Sequence, residues 1–394
     1  MPFDVAAVQQ SLKAEGLDGW LLYDFHGSNP IAARLLGTAG GAKMTTRRWF
    51  YLVPATGEPR GLVHAIERGT LDALPGEKAI YAGRQQLDEG LTKLLSGMTR
   101  VAMEYSRNCA IPYISRVDGG TLELVRGRGI DVASSGDLVQ RFEAVWDAHA
   151  LETHREASAA LHRIKDRAFE LMSKRVRDAE AMTEFAVQQQ MASWFDDEGL
   201  VSDSSPVVAA QENAADPHYL PTARRTRPVG KNELVLLDLW AKKKDDPHAV
   251  FADITWVGFT GENVPTEMVN AFEAIRQARD AATALTQESA RNQRDLRGWQ
   301  VDRAARTVLE QAGFGEQILH RTGHNLGRDV HGNGVHMDDY ESHDDRRLLP
   351  GTGFTIEPGL YFESFGVRTE INMYYGQREA LITGPAQAEI VKLV

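Results

Sequence analysis

An α+β fold in two parts is what the sequence predicts: a smaller α/β unit over residues 1–147, then a larger α+β unit over residues 148–394. Three observations carry that prediction. A chain of 394 residues exceeds what one small hydrophobic core organises. The first part alternates helical and strand patterns. The segment beginning "RFEAVWDAHALETHREASAALHRIKDRAFELMSKRV" drops Gly and Pro altogether and repeats apolar residues at helical spacing, which places the boundary near Asp147.

Taken in order, "VQQSLKAEGLDGWLLYD" reads as an amphipathic helix, a glycine stop and an apolar strand. "RRWFYLVPATGEPRGLVH" reads as two strands about a Pro/Gly turn, and "VAMEYS" and "IDVASS" as further short strands, which together predict a mixed sheet covered by helices. Residues 141–198 predict one or two long helices and then "AMTEFAVQQQMASWFDDEG", which ends at Gly199. Beyond it strands alternate with glycine-bounded turns, with helices over 265–290 and 299–312. No solenoid repeat or low-complexity tract interrupts the pattern.

Composition narrows the function classes. Apolar residues make up 42% and charged residues 25%, ordinary for a soluble globular protein. No run of eighteen apolar residues exists to span a membrane. The first twenty residues lack a basic segment followed by an apolar one, so a cytoplasmic protein without a secretory signal is expected. Cys109 is the only cysteine, which fits a reducing compartment and reads as an inert, half-buried residue. A net charge of −11 disfavours nucleic acid as a partner. The short basic runs "ARRTR" (223–227) and "AKKKDD" (241–246) read as solvated loops.

The chemistry concentrates in the second part. "HRTGHNLGRDVHGNGVH" (320–336) packs four histidines, His320, His324, His331 and His336, among glycines that break any single helix. Four acids interrupt apolar strands: Asp238 in "ELVLLDLW", Asp253 in "VFADITW", Glu357 in "GFTIEPGLYF" and Glu370 in "FGVRTEINMYY". One such acid is ordinarily a turn or an ion pair. Four in one domain need compensation, because a buried carboxylate without a cation neutralises, and few basic residues stand beside these strands. Two divalent ions would balance four carboxylates, with bridging acids holding the ions ~3.5–4 Å apart. An oxygen-dominated set with one imidazole and no cysteine favours Mn²⁺, with Co²⁺ or Zn²⁺ as alternatives. The chemistry alone points to a di-metal hydrolase.

"GHNLGRDVHG", "FTIEPGLYF" and "GVRTEIN", in that order after two strand aspartates, resemble the pita-bread metallopeptidases of family M24: prolidase, Xaa-Pro aminopeptidase and methionyl aminopeptidase. The similarity covers roughly residues 150–394, and the first part resembles the N-terminal domain of prolidases, Xaa-Pro aminopeptidases and creatinases, which methionyl aminopeptidases lack. The resemblance implies a curved antiparallel sheet backed by helices, with two metals on its concave face. It matches Asp238 to a chelating ligand of the first metal and Asp253 and Glu370 to the bridging acids. His324 and Glu357 match ligands of the second metal, Glu357 also exchanging protons with the bridging water. His331 matches a histidine facing the substrate carbonyl, His218 one lining the amino-terminal side, and His320 a further substrate-pocket histidine. His336 has no assignment beyond a structural one. Arg368 matches the arginine of the family's Gly-Val-Arg stretch, either orienting the metal carboxylates or reading a substrate carboxylate, for which Arg346 and Arg347 also qualify.

The implied activity is cleavage of the Xaa-Pro bond of dipeptides or short peptides, with proline second, by a metal-bridging hydroxide. The alternatives are another metal-dependent aminopeptidase or dipeptidase of the same fold, or a non-catalytic peptide-binding module. Creatinase is disfavoured by the intact ligand set. The family also forms homodimers through the N-terminal domain. Some residues depart from its pattern. Asn325, which tolerates a left-handed backbone, replaces a glycine, and Gly332 replaces an acid. Asp238 and Asp253 stand fifteen apart, an expanded spacing assigned to a longer hairpin tip. Trp240 and Trp256 occupy positions where a small residue and an arginine are common, and "SDSSPVV" lacks a tyrosine that many prolidases carry.

Overall fold

The computed structural model describes residues 3–38 and 45–394. The chain divides into two compact units, Met1–Glu143 and Ala144–Val394.

The first unit runs α1 (Val5–Glu15), β1 (Gly19–Asp24), α2 (Pro30–Leu35), β2 (Trp49–Pro54), β3 (Arg60–His64), β4 (Glu77–Tyr81), α3 (Arg84–Leu94), β5 (Arg100–Met103), α4 (Gly119–Arg126), β6 (Asp131–Ser134) and α5 (Gly136–Glu143). Its sheet has the order β4-β3-β2-β1-β5-β6, with β2 antiparallel to both neighbours and the other pairings parallel. The helix–glycine–strand reading of the N-terminus holds: Asp4 caps α1, and Gly16 ends it at φ 65°. Strands β1 and β2 are buried along their whole length, as expected of strands covered on both faces. Glu104 lies fully buried beneath them, accepting from Trp20 Nε1, Asn29 Nδ2 and Ser135 Oγ, and burial lifts its pKa to about 6. Cys109 is exposed rather than half-buried, on a backbone with φ 54°.

The second unit continues α6 (Ala148–Arg177), α7 (Glu184–Asp197), β7 (Leu200–Val201), β8 (Val207–Ala210), β9 (Leu234–Lys243), β10 (Ala252–Phe259), α8 (Thr266–Arg291) and α9 (Gly298–Gln311). It ends with β11 (Asn325–Leu326), β12 (Thr352–Ile356), β13 (Gly359–Tyr361), β14 (Gly366–Arg368), β15 (Ile371–Tyr375), β16 (Ala380–Ile382) and β17 (Val391–Lys392). Asp147 caps α6 through the Ala150 amide, an interaction typically worth ~1 kcal/mol. Its buried stripe Ala157, Leu161, Ile164, Ala168 and Met172 keeps the 3.6-residue period. One sheet has the order β17-β10-β9-β7 with β8 also on β9, a second has β11-β12-β15-β16, and β13 and β14 form a ribbon.

Strand β9 separates two cores by alternation. Leu234 and Leu236 join the cluster containing α8 and α9, whereas Val235, Leu237, Leu239 and Ala241 join the cluster under α6 and α7. Asp238 and Trp240 therefore share the first face. The basic run 241–243 is strand rather than loop, because β9 outruns β10 and pairs Lys242 and Lys243 with β7. The hairpin tip is correspondingly confined to residues 244–251. Among the described residues, no helix is long and apolar enough to cross a membrane.

Candidate metal centre

Five side chains converge from five places in the second unit. Asp238 and Asp253 come from adjacent antiparallel strands, with Thr255 directly opposite Asp238. Glu357 leaves the end of β12, and its amide donates to the Thr322 carbonyl at 2.7 Å. Glu370 sits between β14 and β15, tied through its amide to the Thr255 carbonyl at 3.2 Å. His324 stands just before β11, its amide held by Thr355 Oγ1 at 2.9 Å.

Asp253, His324 and Glu370 are buried, and one candidate ligating atom from each lies within 4.8 Å of the others. His324 Nε2 is 3.3 Å from Glu357 Oε1 and 3.6 Å from Asp253 Oδ2, while Nδ1 faces the Asn325 carbonyl at 3.3 Å. That orientation leaves Nε2 as the nitrogen available to a metal. Thr255 Oγ1 donates to Glu370 Oε2 at 2.8 Å, and Thr355 Oγ1 to Glu357 Oε1 at 3.1 Å. Arg368 directs all three nitrogens at protein groups: Nε to Thr255 Oγ1 at 3.0 Å, Nη1 to Tyr361 Oη at 2.8 Å and Nη2 to Asp238 Oδ2 at 2.5 Å.

The electrostatics are unbalanced without a further cation. Burial and then the neighbouring carboxylates push Asp253 and Glu370 well above the usual carboxylate range, and burial raises Asp238 against the opposing pull of Arg368. Burial holds His324 neutral, with a pKa near 3. Asp253 Oδ1 and Glu370 Oε1 are buried with no hydrogen-bond partner among the described residues. Another buried acid of this unit, Glu184 on α7, shows the contrast. It accepts from the Ala210 and Arg227 amides, Asn213 Nδ2 and Tyr219 Oη. Glu184 is a satisfied structural acid; Asp253 and Glu370 each keep one oxygen without a donor among the described residues. Four carboxylates, one neutral imidazole and the Arg368 guanidinium bound to Asp238 fit divalent cations with oxygen-rich coordination.

The other histidines divide by position. His331 is exposed, with its ring centroid 4.3 Å from that of His324, and its pKa lies below the ordinary value through partial burial, Arg321 and His218. His218 is exposed on the loop after the 3₁₀ turn Gln211–Ala215. His320 bonds Tyr361 Oη through Nε2 at 2.7 Å and the Arg321 carbonyl through Nδ1 at 2.7 Å, and burial lowers its pKa to about 4. Tyr361 thus joins His320 to Arg368 and onward to Asp238. His336 is structural: its Nδ1 accepts from the Asn325 amide, and its own amide donates to Asp344. Arg346 is committed to Asp344 and to the carbonyls of Asn333 and Gly334, and Arg347 faces Asp295.

One residue-level expectation changes, and the other departures find their places. Asn325 is not left-handed; it lies in β11 and uses its side chain as a brace, donating to the Gly353 carbonyl and accepting from the Gly334 amide. That brace explains Gly332, where a Cβ would lie 2.2 Å from Asn325 Oδ1. Trp240 and Trp256 part company by strand parity. Trp240 shares the face of the acids, while Trp256 packs in the cluster under α6, with Lys165 Nζ 3.7 Å from its ring centre and His162 edge-on.

Sequence reasoning missed Thr255, Thr355 and Tyr361. The first two lie two residues from ligand candidates in a strand pattern, which places each on the ligand's face.

Comparison with known proteins bears on this geometry. The sequence model of Metallopeptidase family M24 matches residues 152–376. The "Probable dipeptidase PepE" of Mycobacterium tuberculosis is 28% identical over 327 residues, 81% of this chain and 78% of that one. An Xaa-Pro dipeptidase of Lactobacillus helveticus is 33% identical over 177 residues, 44% of this chain and 42% of its own. Among solved structures, dipeptidase PepE from Mycobacterium ulcerans superposes with a TM-score of 0.69 at 22% identity, covering 99% of this chain and 96% of that one. A prolidase from Thermococcus sibiricus gives 0.63 at 20% identity, covering 100% and 99%. At these identities the structures speak to the fold, which is α+β of the pita-bread type.

Proposed function

The chain belongs to metallopeptidase family M24, and from that premise and its carboxylate cluster we propose an exopeptidase that uses two divalent metal ions to hydrolyse the Xaa-Pro bond of dipeptides or short peptides. The observation that carries the proposal is the buried cluster of Asp253, His324 and Glu370, in which one candidate ligating atom from each residue lies within 4.8 Å of the others and both acids keep an oxygen without a hydrogen-bond partner among the described residues. Asp238, Asp253, His324, Glu357 and Glu370 would hold the ions. Mn²⁺ suits this donor set best, Co²⁺ and Zn²⁺ next. When bound, the ions supply a water nucleophile active at neutral pH and polarise the scissile carbonyl.

The chain's own groups handle the protons and the geometry. Glu357, oriented by Thr355, accepts a proton from the attacking water and returns one to the departing nitrogen. A proline nitrogen carries no hydrogen in the peptide, so cleavage requires that delivery. His331, neutral at pH 7, donates its N–H to the carbonyl oxygen as negative charge develops there. His218 stands beside it on the amino-terminal side. His320 and Tyr361 form a ring-lined wall for the proline. Arg368 is a positioning residue, fixing Asp238 and Tyr361 together.

The test is to strip the purified protein with chelator and assay an Xaa-Pro dipeptide beside an Xaa-Pro-containing tripeptide, with and without Mn²⁺. Restored cleavage of the dipeptide alone identifies a dipeptidase; cleavage of the tripeptide identifies an aminopeptidase. Failure to cut either while metal binds refutes the substrate class. A cytoplasmic location and a homodimer through the first unit belong to the same proposal, the dimer being checked by light scattering.

A further inference from the structure

Trp240 and Asp203 have no part in that scheme, yet they are built into the edge of the site. Trp240 lies directly across the β9–β10 ladder from Asp253 and two residues along the same face from Asp238. Side chains so paired have Cβ atoms ~4.5–5.5 Å apart, so the indole stands beside the acid cluster. It packs against the apolar cluster of α8 and α9 and also against the one containing Phe251, Leu326 and Val330. Its Nε1–H donates to Asp203 Oδ1 at 2.6 Å.

Asp203 is exposed, forms no ion pair among the described residues, and accepts no hydrogen bond at its second oxygen there. The neighbouring cation, Lys242, donates to the Arg328 carbonyl at 2.6 Å and is influenced more by Asp329 than by Asp203. The indole therefore holds a carboxylate, with one face of charge left open, at the rim beyond Asp253. The opposite flank, beyond Asp238, is different in kind: rings and a guanidinium already matched to Asp238 and Tyr361. An apolar proline ring suits that flank. A cationic residue suits the Trp240 flank.

We propose that Trp240 and Asp203 form the subsite for the residue preceding the scissile bond and that this subsite selects a basic side chain, lysine or arginine. The aliphatic stem lies along the indole, as long basic side chains do on apolar surfaces, and the charged head bonds the open oxygen of Asp203. This rests on the Xaa-Pro peptidase reading above. The sequence hint was Trp240 itself, where a small residue is usual in the family it resembles.

The experiment compares Lys-Pro, its uncharged isostere norleucine-Pro, and Glu-Pro on the Mn²⁺-loaded full-length protein. Lys-Pro is expected to exceed norleucine-Pro about 10-fold in kcat/KM, chiefly through KM, the size of a charge-assisted bond at a partly solvated site. Asp203→Asn should bring that ratio close to one, and Asp203→Lys should move the preference to Glu-Pro. Trp240→Phe keeps the ring, loses the N–H, and should cut the ratio about 3-fold. Equal cleavage of Lys-Pro and norleucine-Pro by the wild type overturns the inference and leaves the peptidase reading standing. So does an Asp203→Asn variant that slows both substrates alike, which would mark a structural role. If no Xaa-Pro dipeptide is cut although Mn²⁺ raises the melting temperature, the peptidase reading fails and the subsite falls with it.

Discussion

Replacing Glu370 by glutamine should move the stability of the metal-free and metal-loaded protein in opposite directions. In the metal-free protein, Glu370 faces Asp253 within 4.8 Å, both buried. Two full charges 4.8 Å apart repel by about 3.5 kcal/mol at an effective dielectric near 20, which sets the scale of what the substitution relieves when both acids are ionised. Thr255 already donates to Glu370 Oε2. A glutamine can therefore keep its oxygen there and turn its amide toward Asp253, exchanging repulsion for a hydrogen bond. Metal-free Glu370→Gln should thus melt higher than metal-free wild type. Ligand binding to the native state alone is worth about 2.7 kcal/mol at one hundred times Kd. In a unit of this size each kcal/mol shifts Tm by roughly 2–4 °C, so Mn²⁺ should raise wild-type Tm by about 5–11 °C and the variant by far less. Differential scanning fluorimetry after chelation, with metal content measured alongside, reads both effects. An equal Mn²⁺-induced rise in the two proteins would refute the argument that Glu370 is a ligand.

Three other outcomes are expected. Tyr361→Phe removes the hydroxyl joining His320 to Arg368; kcat on an Xaa-Pro dipeptide should fall about 10-fold, with bound metal unchanged, and lost metal would contradict the positioning role. Gly332→Asp restores the more common acid but drives a Cβ into Asn325, and should lower unfolding free energy by about 1–3 kcal/mol, read from the urea midpoint. His154 and His162 are buried with pKa values near 4 against 6.5 ordinarily. The unfolded chain then binds more protons between those values, so their contribution is complete above pH 6.5 and is lost as pH falls toward 4, by roughly 3 kcal/mol each. Urea midpoints from pH 7 to pH 4.5 should decline, and His154→Leu should flatten the slope; an unchanged slope would remove His154 from the account.

The candidate ligands were legible because an acid set into an apolar strand pattern contradicts its surroundings: Asp238 and Asp253 stand inside β9 and β10, and Glu357 and Glu370 directly adjoin the ends of β12 and β15. The long helices were legible from unbroken periodicity, as in α6. What surrounds the acids was not. Thr255 and Thr355 are unremarkable in any strand, and their importance appears only when register sets them against Glu370 and Glu357. Glu184 opens a helix, where acids are commonplace, so nothing in its sequence context distinguishes a buried acid filled by four donor groups from a solvated one. Asn325 reads as a turn residue, and only the neighbouring backbone reveals it as a brace. The two tryptophans were separable in principle, since residue parity along β9 and β10 sends Trp240 to one face and Trp256 to the other.

That same parity determines where this protein can change length. One residue added or deleted within residues 234–243 would turn Asp238 and Trp240 into the helix-facing core and bring Leu237 or Leu239 to the acids' side. Residues 244–248, which precede the buried Ala249, Val250 and Phe251, are under no such constraint: extra chain there leaves Asp238 opposite Thr255 and Asp253 opposite Trp240. The hairpin end is thus a graft point, able to carry a reporter peptide or an added recognition loop a few side chains from the cluster without disturbing its assembly. It is also where diverging lineages can insert new substrate contacts while keeping the same centre.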